Sequence, residues 1–120
     1  MVQLDREMSP YKEAEAVRCF AGFSEAMQGR KFDFIFIDAP LGGDMKLYSR
    51  IDVLKLLPEC LHDDFIIMMD DSERTGEINT LREMKNILSE SGITFTSGEY
   101  RGAKKCTVIC SESLSFITSM

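Results

Sequence analysis

The sequence predicts an α/β fold: a mixed sheet with helices on its faces and a β-hairpin near the C-terminus. Two apolar runs, Phe32–Ile37 and Phe65–Met69, have the character of buried parallel strands, and segments of helical periodicity lie around them. A third strand-like segment, Cys106–Cys110, follows alternating residues and a glycine-containing turn, which is the pattern of a hairpin. We therefore expect one α/β domain over residues 1–120.

The remaining elements each have a local signal. Apolar residues at helical spacing from Tyr11 to Gln28 predict a first amphipathic helix, after a short N-terminal strand or arm. The segment Ser49–Asp52 has the form of a capping box and predicts a short crossover helix that ends near Pro58. Apolar positions from about Thr75 to Ser91 predict a third helix.

Composition limits the classes of function. With 44% hydrophobic and 28% charged residues, the chain has the composition of a soluble globular protein. A net charge of -6 disfavours binding to nucleic acid, and no apolar run approaches the roughly 20 residues that span a bilayer. We expect a cytoplasmic protein that binds neither nucleic acid nor membrane, with its four cysteines as free, buried thiols.

Acidic residues follow both predicted strands at their carboxyl ends. Asp38 follows the first strand, and Asp70 and Asp71 follow the second. Ligands of open α/β sheets bind beyond these strand ends, and neighbouring strands lie ~4.8 Å apart, so the three acids should meet in one crevice. Such a set of oxygen ligands suits magnesium, calcium or manganese.

The same acids also have a purely structural interpretation. Asp70 or Asp71 could cap the segment that follows, and Asp38 could accept hydrogen bonds from the backbone of the turn Pro40–Gly43. The basic residues that would then balance the charge are Arg50, Arg74 and Lys46. The residue pattern alone leaves both interpretations open.

Three segments together resemble a known family. The runs Phe32–Pro40, Tyr48–Arg50 and Asp64–Asp71, followed by a hairpin, look like the C-terminal half of a Rossmann-type (class I) S-adenosylmethionine-dependent methyltransferase. The resemblance covers about residues 30 to 112. It implies a partial Rossmann-like three-layer sandwich. In complete form, it implies transfer of a methyl group from S-adenosylmethionine to a small-molecule or saccharide oxygen.

The resemblance also assigns roles to individual residues. It implies that Asp38, Ala39 and Pro40 contact the cofactor and that Asp38 and Asp70 are catalytic. In that family the fourth strand ends in an acid near donor and acceptor, and the fifth often ends in an acidic pair. The sheet then closes with a sixth strand and an antiparallel seventh.

The metal-dependent branch, typified by catechol O-methyltransferase, implies a magnesium ion held by Asp38, Asp70 and Asp71. Two features depart from the family pattern. Leu41 stands where that branch has its catalytic lysine, and the glycine-rich cofactor loop and the ribose-binding acid have no counterpart in these 120 residues. We therefore expect a fragment of a methyltransferase-like protein of about 200 residues, inactive by itself.

The missing strands also bear on partners. If Phe32–Ile37 has an open edge, its unpaired backbone predicts a homodimer or a swapped assembly. A non-catalytic α/β interaction or oligomerisation module, which uses that edge, is the alternative function. A phosphotransfer receiver also clusters acids at strand ends, but the hairpin ending disfavours it.

Overall fold

The computed structural model describes residues 4–40, 45, 47–102 and 104–117. Its strands are β1 (Arg6–Tyr11), β2 (Ala14–Phe20), β3 (Phe32–Ile37), β4 (Leu61–Met69), β5 (Phe95–Arg101) and β6 (Lys105–Ser111). Its α-helices are α1 (Phe23–Met27) and α2 (Thr75–Glu90), and 3-10 helices cover Asp52–Leu56 and Glu112–Ile117. The strands form a two-stranded sheet, β1-β2, and a four-stranded sheet in the order β3-β4-β6-β5.

The four-stranded sheet is mixed, which confirms the predicted α/β class. Strands β3 and β4 are parallel, with Ile37 opposite Met69, so their carboxyl ends lie side by side. Strand β6 is antiparallel to both β4 and β5, and β5 and β6 form the predicted C-terminal hairpin. Strand β4 begins at Leu61 rather than at the predicted Phe65, so that His62 lies inside it.

One face of this sheet supports the core. Leu81, Met84 and Leu88 follow one another at helical spacing along α2. They belong to the same buried apolar cluster as Ile67 of β4 and Ile109 of β6. Burying each such side chain stabilises the fold by about 1.5–3 kcal/mol. No helix among the described residues has both the length and the apolar character that crossing a membrane requires.

The opposite face of β3 is open. Side chains alternate along a strand, so Phe34 and Phe36 share this face with Ile66 and Met68 of β4. Phe34 and Phe36 are 50% and 53% exposed, while Ile66 and Met68 are half-buried. The Rossmann-like three-layer arrangement therefore stays a prediction.

The predicted helix from Tyr11 to Gln28 is wrong. Residues Ala14–Phe20 of this segment form strand β2, which pairs antiparallel with β1, and α1 has only five residues. Val17 and Cys19 of β2 are both buried, with the half-buried Arg18 between them. Buried side chains thus recur at every second residue, as in a strand. Pairing with β1 overrides the local helical spacing.

The predicted crossover helix is a 3-10 helix, and the capping box does not form. The hydroxyl of Ser49 is buried without a hydrogen-bond partner among the described residues. Asp52 instead accepts a hydrogen bond from the backbone N–H of Phe20, at 2.9 Å. The segment between β3 and β4 thereby holds the end of β2 against the core.

The four cysteines are free, as predicted. Cys19, Cys60 and Cys110 are buried, and Cys106 is half-buried. Burial raises the pKa of the Cys19, Cys60 and Cys106 thiols above the ordinary value of 9.0. These thiols are therefore weak nucleophiles at neutral pH.

Candidate functional site

The three predicted acids come together at one edge of the sheet. Asp38 directly follows β3, and Asp70 and Asp71 directly follow the parallel strand β4. One carboxylate oxygen of each lies within 4.8 Å of the others. The side chain of Asp38 is 59% exposed, whereas that of Asp71 is 16% exposed.

A buried arginine, Arg50, lies beneath these acids. Its side chain is 3% exposed, and its Nη1 donates a hydrogen bond of 2.6 Å to the backbone oxygen of Asp70. Its Nε donates one of 3.3 Å to the backbone oxygen of Pro40. Its Nη2 lies 3.9 Å from Oδ1 of Asp38 and 3.7 Å from Oδ2 of Asp71. One guanidinium therefore joins the segments that follow β3 and β4.

A fully buried glutamate extends this network into helix α2. Glu77 is 0% exposed, and its Oε2 lies 3.7 Å from Nε of Arg50. The same oxygen accepts a hydrogen bond of 2.6 Å from Nη2 of Arg74. The other oxygen, Oε1, is buried without a hydrogen-bond partner among the described residues. The first turn of α2 is thus tied to the strand ends through charged groups.

Asp71 is surrounded by positive charge. Besides Arg50, it has Nη2 of Arg74 at 3.6 Å and Nζ of Lys104 at 3.4 Å. In contrast, the Asp70 side chain forms no ion pair within the described part of the chain. The predicted role of Arg50 and Arg74 in balancing the acids is therefore observed, while Lys46 lies outside the described residues.

The backbone is unusual at two of these positions. Arg50 and Asp71 have φ angles of 58° and 55°, in the left-handed region that residues with a β-carbon rarely adopt. Each such residue costs on the order of 1–3 kcal/mol unless its surroundings stabilise it, and such residues cluster at functional sites. Here the ion pairs of Arg50 and Asp71 supply part of that stabilisation.

The chemistry of the three acids fits a divalent cation only in part. Three carboxylates within 4.8 Å of one another supply the oxygen ligands that magnesium prefers. However, Arg50, Arg74 and Lys104 lie beside Asp71 and would repel a cation bound there. Asp38 and Asp70 are the members of the set with fewer basic neighbours, so they are the more suitable metal ligands.

The segment that follows β3 begins the predicted cofactor-binding run. Asp38 and Ala39 are exposed, and Pro40 is buried with its oxygen bonded to Arg50. The rest of the predicted loop, 41–44, lies outside the described residues, and so does Leu41 at the position of the family lysine.

An apolar cleft of about 290 Å³ opens beside Asp38, between α1 and the end of β3. Its wall includes Phe20, Phe23, Phe36 and Val53, and Asp52 and Arg50 also line it. Burial raises the pKa of the Asp52 carboxyl above its ordinary value of 3.8. The cleft has the character of a small ligand pocket, with few polar groups in a mostly apolar wall.

Sequence reasoning missed two members of the charged network, Glu77 and Lys104. A signal existed for Glu77, because it lies three residues after Arg74 at the start of a predicted helix, where an acid and a base face each other. Lys104 has no local signal, since it reaches Asp71 only through the pairing of β6 with β4.

The described site thus contains two comparatively free carboxylates, a buried arginine and an adjacent apolar cleft. Comparison of the chain with protein-family models, with curated proteins and with solved structures finds no match.

Proposed function

We propose that this chain is the C-terminal part of an S-adenosylmethionine-dependent methyltransferase-like domain that acts on a small-molecule or saccharide oxygen. The observation that supports it most is the meeting of Asp38, Asp70 and Asp71 beyond two adjacent parallel strands. This is the edge of an α/β sheet at which ligands bind.

Two further observations support the proposal. The sheet ends in a hairpin whose last strand, β6, is antiparallel to its neighbours, as the resemblance requires. Strand β3 lies at the edge of the four-stranded sheet and leaves Phe34 and Phe36 half-exposed. A complete domain of this kind would continue the sheet past β3 and cover that face.

The proposed chemistry assigns different tasks to the acids. S-adenosylmethionine would supply the methyl group: its S–CH₃ bond would break as the bond to the acceptor oxygen forms, and it would leave as a neutral thioether. Asp38, the most exposed acid, would accept the proton of the acceptor hydroxyl, and Asp70 would orient that hydroxyl or share a magnesium ion with Asp38. Asp71 would hold Arg50 and Arg74 in place.

Isothermal titration calorimetry tests this proposal. S-adenosylmethionine, with and without magnesium, is titrated into the 120-residue chain and into the longest product of the same reading frame. We expect little heat from the chain alone and saturable heat from a product that also contains a glycine-rich cofactor loop. Absence of heat from a longer product that contains a glycine-rich cofactor loop would contradict the proposal.

A pair of matched variants sharpens the test. Asp38 and Asp33 are both exposed acids of the same strand segment, but only Asp38 lies at the carboxyl end. Asp38→Asn should lower methyl transfer by about 10²–10⁴-fold, the usual contribution of a general base, and Asp33→Asn should leave it unchanged. Equal effects of the two substitutions would remove Asp38 from the mechanism.

A specific observation favours the alternative, a non-catalytic interaction module. Asp71 already has Arg50, Arg74 and Lys104 as counter-charges, as in a structural cluster, and the edge of β3 is open. In that case Asp70→Asn would change neither ligand binding nor assembly, whereas substitutions on β3 would change assembly.

A further inference from the structure

The outer edge of β3 has no strand partner within the described residues, where β3 pairs with β4 alone. The backbone oxygen of Ile37 accepts a hydrogen bond from the N–H of Asp70. Since backbone groups alternate in direction along a strand, the N–H and C=O groups of Phe34 and Phe36 face the open edge. This edge offers a template for another strand.

Both sides of this edge carry apolar groups, and Asp33 is the only charged residue of β3. On one side, the rings of Phe34 and Phe36 are about half exposed, at 50% and 53%. A second cleft, of about 190 Å³, lies at this edge between α1 and β3, and its wall includes Phe34 and, from the other face of the strand, Ile35. A strand added here would therefore bury apolar side chains on both faces of the sheet.

The charges around β3 distinguish between possible occupants. Arg30 and Lys31 precede the strand and are exposed, Asp33 is an exposed acid near its start, and the exposed Asp38 follows its end. With two bases against one acid, the start carries a net positive charge and the end a negative one. If a second copy of β3 lay antiparallel beside the first, the basic end of each would face the acidic end of the other. A parallel copy would instead place like charges together, which is destabilising.

We propose that two copies of this chain associate through their β3 strands, antiparallel and about a two-fold axis near Ile35. The result is one continuous sheet of eight strands, four from each copy. Such an arrangement is closed, because the same edge serves both partners. It places Arg30 and Lys31 of one copy beside Asp38 of the other.

This association adds two positive charges to the surroundings of Asp38. Asp38 otherwise has only Arg50 as a basic neighbour in the described residues, at 3.9 Å. The inference concerns this chain by itself, because further strands beyond β3 in a longer domain would occupy the same edge, and it does not rest on methyl transfer. It fails if the chain is monomeric, while the proposed function fails if no product binds the cofactor, so the two outcomes are separate.

Size-exclusion chromatography with light scattering tests the proposal. At about 100 µM, the chain should have a mass near 27 kDa, twice its 13.6 kDa, and should dissociate on dilution. A six-residue strand makes a small interface, so we expect a dissociation constant on the order of 10 µM. A monomer at every concentration would overturn the proposal.

Two substitutions identify the interface. Phe36→Lys places a charge at the apolar edge and should give a monomer, whereas Ile78→Lys changes an exposed apolar residue of α2 and should leave the dimer intact. Circular dichroism confirms that both variants are folded. A dimer that persists in Phe36→Lys, or is lost equally in Ile78→Lys, would place the interface elsewhere.

A charge reversal tests the antiparallel direction. The double variant Arg30→Glu/Lys31→Glu sets four acidic side chains against the two copies of Asp38. It should weaken the dimer by about ten-fold or more at low ionic strength. At about 1 M salt the Debye length is about 3 Å, so variant and wild type should then dimerise equally. The same affinity in both proteins at low salt would contradict the antiparallel arrangement.

Discussion

Replacing Arg50 by alanine is the most informative single perturbation, because its guanidinium joins three parts of the fold. The substitution removes the hydrogen bonds to the backbone oxygens of Asp70 and Pro40, at 2.6 and 3.3 Å. It also leaves Glu77, which is 0% exposed, with Arg74 as its only basic neighbour in the described residues.

The expected loss of stability follows from these contacts. Removing one partner of a buried ion pair costs about 3–5 kcal/mol. Because Arg74 still neutralises Glu77 at 2.6 Å, we expect the lower end of this range, about 3 kcal/mol. The unfolding free energy of a domain is about 5–15 kcal/mol, so the variant should remain folded but be clearly weakened.

A glycine at position 50 separates the backbone from the side chain. Alanine must keep the φ of 58°, whereas glycine adopts this angle without a steric penalty. Arg50→Gly should therefore be more stable than Arg50→Ala by about 1 kcal/mol, although it lacks the same ion pairs. This difference measures the cost of the left-handed backbone.

Urea denaturation followed by circular dichroism measures both effects. With m values of about 1–3 kcal/mol/M, a loss of 3 kcal/mol lowers the midpoint by about 1–3 M. The control is Arg82→Ala, an exposed arginine of α2, which should change stability by less than about 0.5 kcal/mol. A loss below about 1 kcal/mol in Arg50→Ala would show that the buried ion pairs of Arg50 do not stabilise the fold. Equal stability of the Ala and Gly variants would show that the left-handed φ at position 50 has no measurable cost.

Three further predictions concern other parts of the fold. Burial raises the pKa of the Asp52 carboxyl above 3.8, so protonation of Asp52 favours the folded state. This stabilisation is complete below pH 3.8 and is lost as the pH rises through the pKa of the folded state. Asp52→Asn should therefore flatten the pH dependence of the urea midpoint, and an unchanged slope would contradict this. Leu88→Ala, at a position 0% exposed, should cost about 2–5 kcal/mol in the same assay, and a loss below about 1 kcal/mol would mean that the site collapses around the cavity. A β-carbon at Gly76 would lie 3.1 Å from Cβ of Ser49 and 3.3 Å from the backbone of Tyr48. Gly76→Ala should therefore lower the thermal midpoint of unfolding. A higher midpoint would show that the better helix propensity of alanine outweighs this crowding.

The elements predicted well are those whose local pattern agrees with their burial. The predicted bounds of helix α2 agree with the structure to within one residue, because its apolar positions recur at helical spacing. Strand β3 has its predicted bounds, and the hairpin β5-β6 follows from alternation around a turn. The meeting of the three acids follows from parallel pairing of β3 and β4 alone.

The failures share a physical cause, which is pairing between segments that are distant in sequence. Val17 belongs to a strand because β1 pairs with it, although its neighbours repeat at helical spacing. Ser49 does not cap a helix, because its backbone bonds to Thr80 of α2 hold it in the core. The ion pair between Lys104 and Asp71 similarly requires the sheet to be assembled first.

The shared guanidinium of Arg50 links ligand binding at the strand ends to the position of α2. A cation bound by Asp38 and Asp70 would repel the guanidinium of Arg50, which lies 3.9 Å from Asp38. If Arg50 moved away, Arg74 would be the remaining basic partner of Glu77 in the described residues. Thermodynamic reciprocity requires that a change which loosens the first turn of α2 also alter the affinity of the acids for that cation. We therefore expect that a ligand of Asp38 and Asp70, although it does not touch α2, changes amide hydrogen exchange at the N-terminus of this helix.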